Sequence, residues 1–407
     1  MIASDRHSAI QEALIQQPLG KTSCLEISVV MPCLNEADTL EACIEKAQRA
    51  LSEHNIQGEV VVADNGSTDG SQAIAAHMGV HVVHVEAKGY GNAMMGGIAA
   101  AGGKFIIMGD ADDSYDFRDI PRFLEKLRQG FDLVQGCRLP SGGGTVLPGA
   151  MPFLHRWWGN PMFSHMTRWM FNAPIHDVNC GMRGFTKELY DRLDLRCTGM
   201  EFANEMIIKA SLFGSRIGEV PITLHPDGRQ SHAPHLKTFR DGWRTLRFYL
   251  MYSPRWLFLI PGALLILLGL LAYGIAMPGM TIRGMTFDVH TLLFASLGIL
   301  CGYQSILFAV FTKAFAINEG LMPEDQRFTR FFELVNLERG LLMASVALLI
   351  GIALLLAAVK QWQSVNFGNL DYTQTMRLVI PGMTLTALGF QTVLSSFFAS
   401  ILGTHRR

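Results

Sequence analysis

The 407-residue chain is 49% hydrophobic and close to neutral, with 34 Lys and Arg against 35 Asp and Glu for a formal charge of −1. That balance leaves no electrostatic footprint for a nucleic-acid partner. Seven cysteines without any Cys-x-x-Cys spacing fit reduced thiols better than a disulfide framework or zinc site, and the length exceeds one ordinary core, so at least two units are expected.

Residues 1–24 form an N-terminal extension with no apolar run of leader length, so no cleaved leader is expected. From Glu26, short β-branched runs alternate with helix-like segments. Ile27–Met31, Glu59–Ala63, His81–Val85 and Lys104–Met108 read as strands, with helices expected over Thr39–Ser52, Ser71–Met78 and Tyr90–Ala101. Repeated βα units imply a parallel sheet between helices, a Rossmann-like α/β layer whose ligands sit beyond the carboxyl ends of the strands.

Polar motifs fall at those ends. Pro32-Cys33-Leu34-Asn35-Glu36 follows the first strand and Asp64-Asn65-Gly66-Ser67-Thr68-Asp69-Gly70 the second. Either loop alone reads as a turn with a helix cap; together they offer carboxylates and amides to a base and ribose. The last of these strands runs into Gly109-Asp110-Ala111-Asp112-Asp113-Ser114-Tyr115-Asp116. Two acids one residue apart after a buried strand bring oxygen ligands to one divalent cation, with substrate phosphates completing the shell. The alternative is a cap and solvated surface acids. Competing motifs are missing: Gly89-x-Gly91 lacks the third glycine and trailing acid of a dinucleotide site, and neither a P-loop, a Gly-x-Ser-x-Gly elbow nor a His-Glu-x-x-His occurs. His232-x-x-His235, near His225, has no Cys or acidic partners at zinc-ligand spacing and reads as loop histidines.

Thr238–Tyr252 places Phe239, Trp243, Leu246, Leu250 and Met251 near helical spacing with Arg240, Arg244 and Arg247 between them. This pattern suits a helix lying in a membrane interface, or one packed on the preceding domain. Beyond Pro254 come four apolar stretches, 257–277, 291–312, 341–359 and 378–402, each long enough to cross a bilayer core of about 30 Å. Lys237, Arg240, Arg244, Arg247 and Arg255 precede the first, Lys313, Arg327, Arg330 and Arg339 lie between the second and third, and His405-Arg406-Arg407 ends the chain. The other loops carry only Arg283, and Lys360 with Arg377. The positive-inside rule then puts the large domain and both termini in the cytoplasm, as in a protein of a bacterial inner membrane. The expected organisation is an extension at 1–24, a catalytic domain at 25–236, an amphipathic interface helix at 237–255 and four transmembrane helices within 256–407. A homo-oligomer is compatible with this pattern.

Taken in order, Pro32–Glu36, Asp64–Gly70, Asp110–Asp112, Gly136-Cys137-Arg138, Asp177–Arg183, Phe202–Met206 and Gly218–Ile222 resemble the inverting family 2 glycosyltransferases of GT-A fold. Within that family the chain is most similar to the dolichyl- and polyprenyl-phosphate sugar synthases, over about Glu26 to Leu246. The resemblance implies that Pro32, Leu34, Glu36, Ala63, Asp64 and Asn65 hold the nucleoside. It implies that Asp110, Ala111 and Asp112 form the Mg2+ or Mn2+ and diphosphate site, with Asp112 the direct ligand. Ser114 stands where some members have Gln as a further ligand. Asn65 stands where the synthases commonly have a second Asp, which leaves guanine or uracil open. Arg138 and Arg183 match basic pocket positions, and Arg229 matches the arginine of the segment after the last strand. His232 and Lys237 lie near that segment's usual lysine, to contact the acceptor phosphate, although Lys237 equally reads as one more positive-inside charge. Glu205 and Asp177 occupy positions of a candidate base, or of groups that only orient Arg183 or the sugar.

The activity so implied is a metal-dependent transfer of a hexose from a GDP-mannose- or UDP-glucose-type donor to a polyprenyl phosphate, for a cell-envelope glycan. An ionised phosphate acceptor needs no strong base. The alternatives are transfer to a saccharide or glycolipid hydroxyl, and a membrane scaffold whose domain only binds ligand. A processive polysaccharide synthase is disfavoured, because no Gln-x-x-Arg-Trp occurs.

Overall fold

The computed structural model describes residues 25–229, 238–334 and 336–403. The chain divides into two compact units between Asp241 and Gly242, inside the helix Thr238–Met251.

The first unit opens with β1 (Ile27–Cys33), α1 (Leu40–Glu53), β2 (Gly58–Asp64), α2 (Ser71–His77), β3 (His81–His84), α3 (Tyr90–Ala100) and β4 (Phe105–Met108). There follow α4 (Ile120–Arg128), β5 (Leu133–Cys137), a short β6 (Thr145–Val146) and α5 (Asn160–Phe171), which is entered through a π-helical turn at His155–Gly159. The unit continues with β7 (Arg183–Thr186), α6 (Lys187–Leu193), α7 (Glu201–Leu212), β8 (Ile217–Pro221) and β9 (Thr223–Leu224). Val29, Met31, Val61 and Ile107 are fully buried, as strands covered by helices on both faces require. Leu40, Cys43, Ile44, Ala47 and Leu51 of α1 recur at helical spacing on its buried side, and each large apolar side chain so covered contributes about 2 kcal/mol.

The seven-stranded sheet has the order β3-β2-β1-β4-β7-β5-β8. It is not wholly parallel, because β7 runs antiparallel to both β4 and β5. The return of the chain through α5 brings it back to the carboxyl ends of the strands, and β7 enters the sheet from there. Arg183, its first residue, pairs with Met108, the last residue of β4.

The second unit contains four helices long and apolar enough to cross a membrane: Arg255–Ala276, Val289–Asn318, Leu337–Ser364 and Tyr372–Gly403. Between α8 (Thr238–Met251) and the end of the chain lie α9 (Ile260–Ala276), a hairpin of β10 (Thr281–Ile282) and β11 (Met285–Thr286), α10 (Val289–Asn318), α11 (Gln326–Leu334), α12 (Leu337–Ser364) and α13 (Tyr372–Gly403). Trp243, Arg244, Arg247 and Met251 of α8 are exposed while Phe248 and Tyr249 are buried. Glycines set the closest approaches between spans. A Cβ at Gly262 or Gly302 would strike the opposite backbone in the α9–α10 pair, and one at Gly351 or Gly389 would do so between α12 and α13. Tyr273 Oη lies 2.6 Å from Ser296 Oγ and Tyr303 Oη 2.7 Å from Thr392 Oγ1, so these partly buried hydroxyls find partners within the bundle.

Candidate functional site

Asp110, Ala111 and Asp112 leave the carboxyl end of β4 with several elements fixed around them. Thr39 sits where α1 begins, yet its side chain caps no helical amide. Its Oγ1 instead donates to the Ala111 carbonyl at 2.6 Å. Asp112 Oδ1 accepts from the Ser114 amide at 3.1 Å and its hydroxyl at 2.5 Å, so Ser114 holds the neighbouring carboxylate in a local turn. Tyr90, first residue of α3, donates to Asp110 Oδ1 at 3.1 Å. Gly181 lies against the other oxygen: a Cβ there would collide with Asp110 Oδ2 and reach the Tyr115 ring. Burial, and then the charge of Asp112, raise the Asp110 carboxyl well above the usual carboxylate range.

The segment after β9 tracks along this loop. The His225 amide donates to the Ser114 carbonyl at 2.9 Å and the Gly228 amide to the Asp112 carbonyl at 3.0 Å. Arg229 then presents its guanidinium fork to Glu36, with both bonds at 2.7 Å, and brings Nη2 within 3.4 Å of Asp112 Oδ2 and Nη1 within 3.0 Å of Asp227. One arginine thus ties the end of β1 to the acid pair at the end of β4.

Pro32 and Ala63 pair across β1 and β2, as do Cys33 and Asp64, so the loops after β1 and β2 open side by side. Leu34 is exposed and Ala63 buried. Asp64 accepts from the Gly66 and Ser67 amides and from Gln72. Asn65 spends its amide on the Val85 and Ala87 carbonyls and its carbonyl oxygen on the Gly89 amide, which fixes the loop leading to Tyr90.

Arg138 and Asp177 form a buried pair: Nε and Nη2 donate to the two carboxylate oxygens at 2.7 and 2.9 Å, and the Arg138 amide adds a third bond at 3.0 Å. Arg183 is fully buried, donating to the Ala203 and Cys180 carbonyls at 2.6 Å each, while its Nε has no partner among the described residues. Burial lowers its pKa, against the raising charges of Tyr90 and Asp110 among its neighbours. Glu205 pairs with Lys209 at 3.0 Å, both side chains buried, and accepts from the Arg196 and Cys197 amides. The Thr198 carbonyl just beyond receives the Gly91 amide at 2.9 Å, next to Tyr90. Glu205 therefore braces the loop on which α3 begins. His232 and Lys237 lie outside the described residues.

The triplet, Ser114, Arg229, Glu36 and the loops after β1 and β2 converge, and Arg183 enters from β7. Arg138 and Asp177 join through Tyr115, whose hydroxyl accepts from the Gly181 amide at 2.8 Å and lies 3.5 Å from Arg138 Nη1. Sequence reasoning missed Thr39, Tyr90, Tyr115 and Gly181. Thr39 reads as a helix cap, and an aromatic residue beside a glycine reads as core.

The donor chemistry fits a hard divalent cation. Among the described residues no group of three or more His, Cys, Asp or Glu could hold a metal ion. Asp110 Oδ2 accepts no hydrogen bond from them, and Asp112 Oδ2 has only the long contact with Arg229. Two carboxylates one residue apart are hard oxygen donors of the kind that Mg2+ or Mn2+ takes, and not the closed ligand set of a protein-caged metal.

Residues 28–194 match the model of glycosyl transferase family 2, and residues 310–403 match the family 2 C-terminal transmembrane region. The chain is 38% identical to the low-salt glycan biosynthesis hexosyltransferase Agl6 of Haloferax volcanii, across 98% of this chain and 94% of that protein. It is 32% identical to the dolichyl-phosphate hexose transferase of the same organism, over 48% of this chain and 82% of that one. Among solved structures, glucosyl-3-phosphoglycerate synthase of Mycobacterium tuberculosis aligns with a TM-score of 0.42 at 19% identity, over 58% of this chain and 84% of that chain. With near full-length similarity to a hexosyltransferase, a family 2 glycosyltransferase domain and a matched family 2 transmembrane region, the chain belongs to the membrane-integral family 2 glycosyltransferases.

Proposed function

We propose that this glycosyltransferase moves a hexose from a nucleoside-diphosphate donor to a polyprenyl phosphate at the cytoplasmic face of its membrane, with inversion at the anomeric carbon. The observation that carries the reading is the Arg229 bridge, which makes the Glu36 loop and the Asp110–Asp112 pair parts of one site. Pro32, Leu34, Glu36, Ala63, Asp64 and Asn65 would line the nucleoside end. Asp110 and Asp112 would hold a Mg2+ or Mn2+ ion, which when bound neutralises charge growing on the departing diphosphate. Ser114 keeps Asp112 oriented. Arg229 has a bidentate fork suited to phosphate oxygens and can exchange carboxylate partners for substrate.

The state of the two candidate bases favours a phosphate acceptor. Asp177 is committed to Arg138, and Glu205 is buried against Lys209 and two backbone amides. Neither arrangement supplies a free carboxylate to deprotonate a hydroxyl, whereas an ionised phosphate needs none. The arginines would bring the two anions together, with Arg183 contributing fixed positive charge beneath the triplet. A dolichyl-phosphate hexose transferase among the relatives supports the same acceptor class.

The test offers purified full-length protein Mg2+ or Mn2+, a panel of UDP- and GDP-hexoses, and undecaprenyl or dolichyl phosphate. A β-linked lipid-phosphate hexose from at least one donor is expected; none from any donor sinks the proposal. Asp112→Ala should lower kcat by about a hundred- to a thousand-fold, and full activity in that variant would refute the metal assignment.

A further inference from the structure

Tyr90 opens α3 with a glycine on each side, and its hydroxyl reaches Asp110 Oδ1 at 3.1 Å. The backbone on both sides of it is pinned. The Gly89 amide donates to Asn65 Oδ1 at 2.9 Å, and Asn65 is itself fixed by the Val85 and Ala87 carbonyls. On the other side the Thr198 carbonyl accepts from the Gly91 and Asn92 amides at 2.9 and 3.3 Å. The contact is too close for side chains: a Cβ at Gly89 would strike the Thr198 carbonyl oxygen, and one at Gly91 the Cys197 carbonyl oxygen and the Thr198 backbone.

The Thr198 segment is built in turn on a buried ion pair. Glu205 and Lys209, one turn apart on α7, lie 3.0 Å from each other with both side chains at 0% exposure. Lys209 Nζ donates to the Leu193 and Asp194 carbonyls at 3.0 and 2.7 Å, and Glu205 Oε2 accepts from the Arg196 and Cys197 amides at 2.9 and 2.8 Å. All four bonds fall on the connection from α6 to α7. A buried ion pair gains little stability over apolar side chains of the same volume, so what it orders is the informative property. Here it orders the backbone on which the start of α3 is seated.

We infer that Tyr90 is a positioning residue for the cation ligand Asp110, and that the Glu205–Lys209 pair acts on the site through it. The last torsion of an aspartate is soft, so an unassisted carboxylate turns over a broad range. A donor on Oδ1 fixes its plane, and among the described residues none donates to Oδ2, the oxygen left for the cation. Groups that hydrogen-bond a metal's ligands set its affinity nearly as strongly as the ligands do. Glu205 thereby serves transfer without moving a proton.

This role rests on the reading that Asp110 and Asp112 hold the cation, and one titration separates the two. Full-length protein in detergent is titrated with Mn2+ at a fixed concentration of UDP or of GDP, and free Mn2+ is read by EPR. Tyr90→Phe, which removes only the hydroxyl, should weaken Mn2+ binding about ten-fold and leave the melting curve unchanged. Glu205→Leu with Lys209→Met removes both buried charges at similar volume. This double change should weaken binding in the native background and add little in the Tyr90→Phe background, because changes along one chain of contacts are not additive. Asp112→Ala is the control. Equal Mn2+ binding by native protein and Asp112→Ala, or none by either, removes the metal reading and the inference with it. Loss of binding in Asp112→Ala beside native affinity in Tyr90→Phe keeps the metal reading and overturns the inference. The same loss from the pair variant in both backgrounds overturns the link through Tyr90. Should the pair variant fail to fold, Gly91→Ala, which pushes the start of α3 off the Thr198 segment, is compared in the same two backgrounds and read in the same way.

Discussion

Gly181 shows how one missing methyl group can set the geometry of a site. Its backbone fills the space beside Asp110 Oδ2, and its amide donates to Tyr115 Oη, which in turn meets Arg138. Gly181→Ala should displace the Asp110 carboxylate and lower kcat by about ten- to a hundred-fold. Binding of the lipid acceptor, read from its KM, should be little changed, and a melting curve should show the fold retained. An unchanged kcat would mean that the position of Asp110 does not matter to transfer. Thr39 teaches a related point. Residue type and position mark it as a helix cap, but its hydroxyl serves the Ala111 carbonyl instead. A local preference given up at a loop between strand and helix is the expected sign of a functional constraint.

At the level of elements, Asp64 and Asp69 hold the loop after β2, and Asp69 ties it to Ala37 beyond β1. Burial alone would raise the Asp64 and Asp69 carboxyls, but hydrogen bonds from Ser67, Gly66 and Gln72 on Asp64, and from Ser71 and Ala37 on Asp69, outweigh it and hold both below the usual range. A folded pKa below the unfolded value of about 3.9 contributes stability that is present above that value and lost as pH falls through the folded pKa. Melting temperature should therefore drop as pH is lowered from 5 toward 3, with a shallower slope in Asp64→Asn and Asp69→Asn. Parallel slopes in variant and native protein would remove these loops from the acid transition. In the membrane unit, Gly351 meets the Thr386 amide and the Gly382 carbonyl of α13, so a larger side chain must part the helices. Gly351→Leu should cost about 1–3 kcal/mol of stability, seen as a lower unfolding temperature in detergent. The same change at Gly274, where a Cβ meets open space, should be nearly neutral.

For the whole molecule, the proposed orientation rests on charge. The connection between the second and third spans carries the Lys and Arg residues Lys313, Arg327, Arg330 and Arg339, whereas the hairpin between α9 and α10 carries only Arg283. In intact cells a membrane-impermeant maleimide should label Met280→Cys and leave Glu324→Cys unlabelled until the membrane is opened. The reverse pattern would invert the proposed topology and put the donor site on the side away from cytoplasmic nucleotide sugars.

The early βα alternation, the acid triplet at the end of β4 and the four spans were legible in the sequence, because each rests on local periodicity or on adjacent residues. Buried strands repeat β-branched residues, bilayer spans need long apolar runs, and two acids one residue apart stay neighbours in any fold. Contacts between residues far apart in the chain were decided only by tertiary structure. The antiparallel entry of β7 brings Arg183 beside Met108, the segment after β9 carries Arg229 across to Glu36, and Arg138 at the end of β5 meets Asp177. No short motif encodes these meetings, since they depend on how the sheet closes and on which buried charge finds which partner. The Asp110–Asp112 pair was therefore visible from the sequence, while the residues that hold it in place emerged only with the fold.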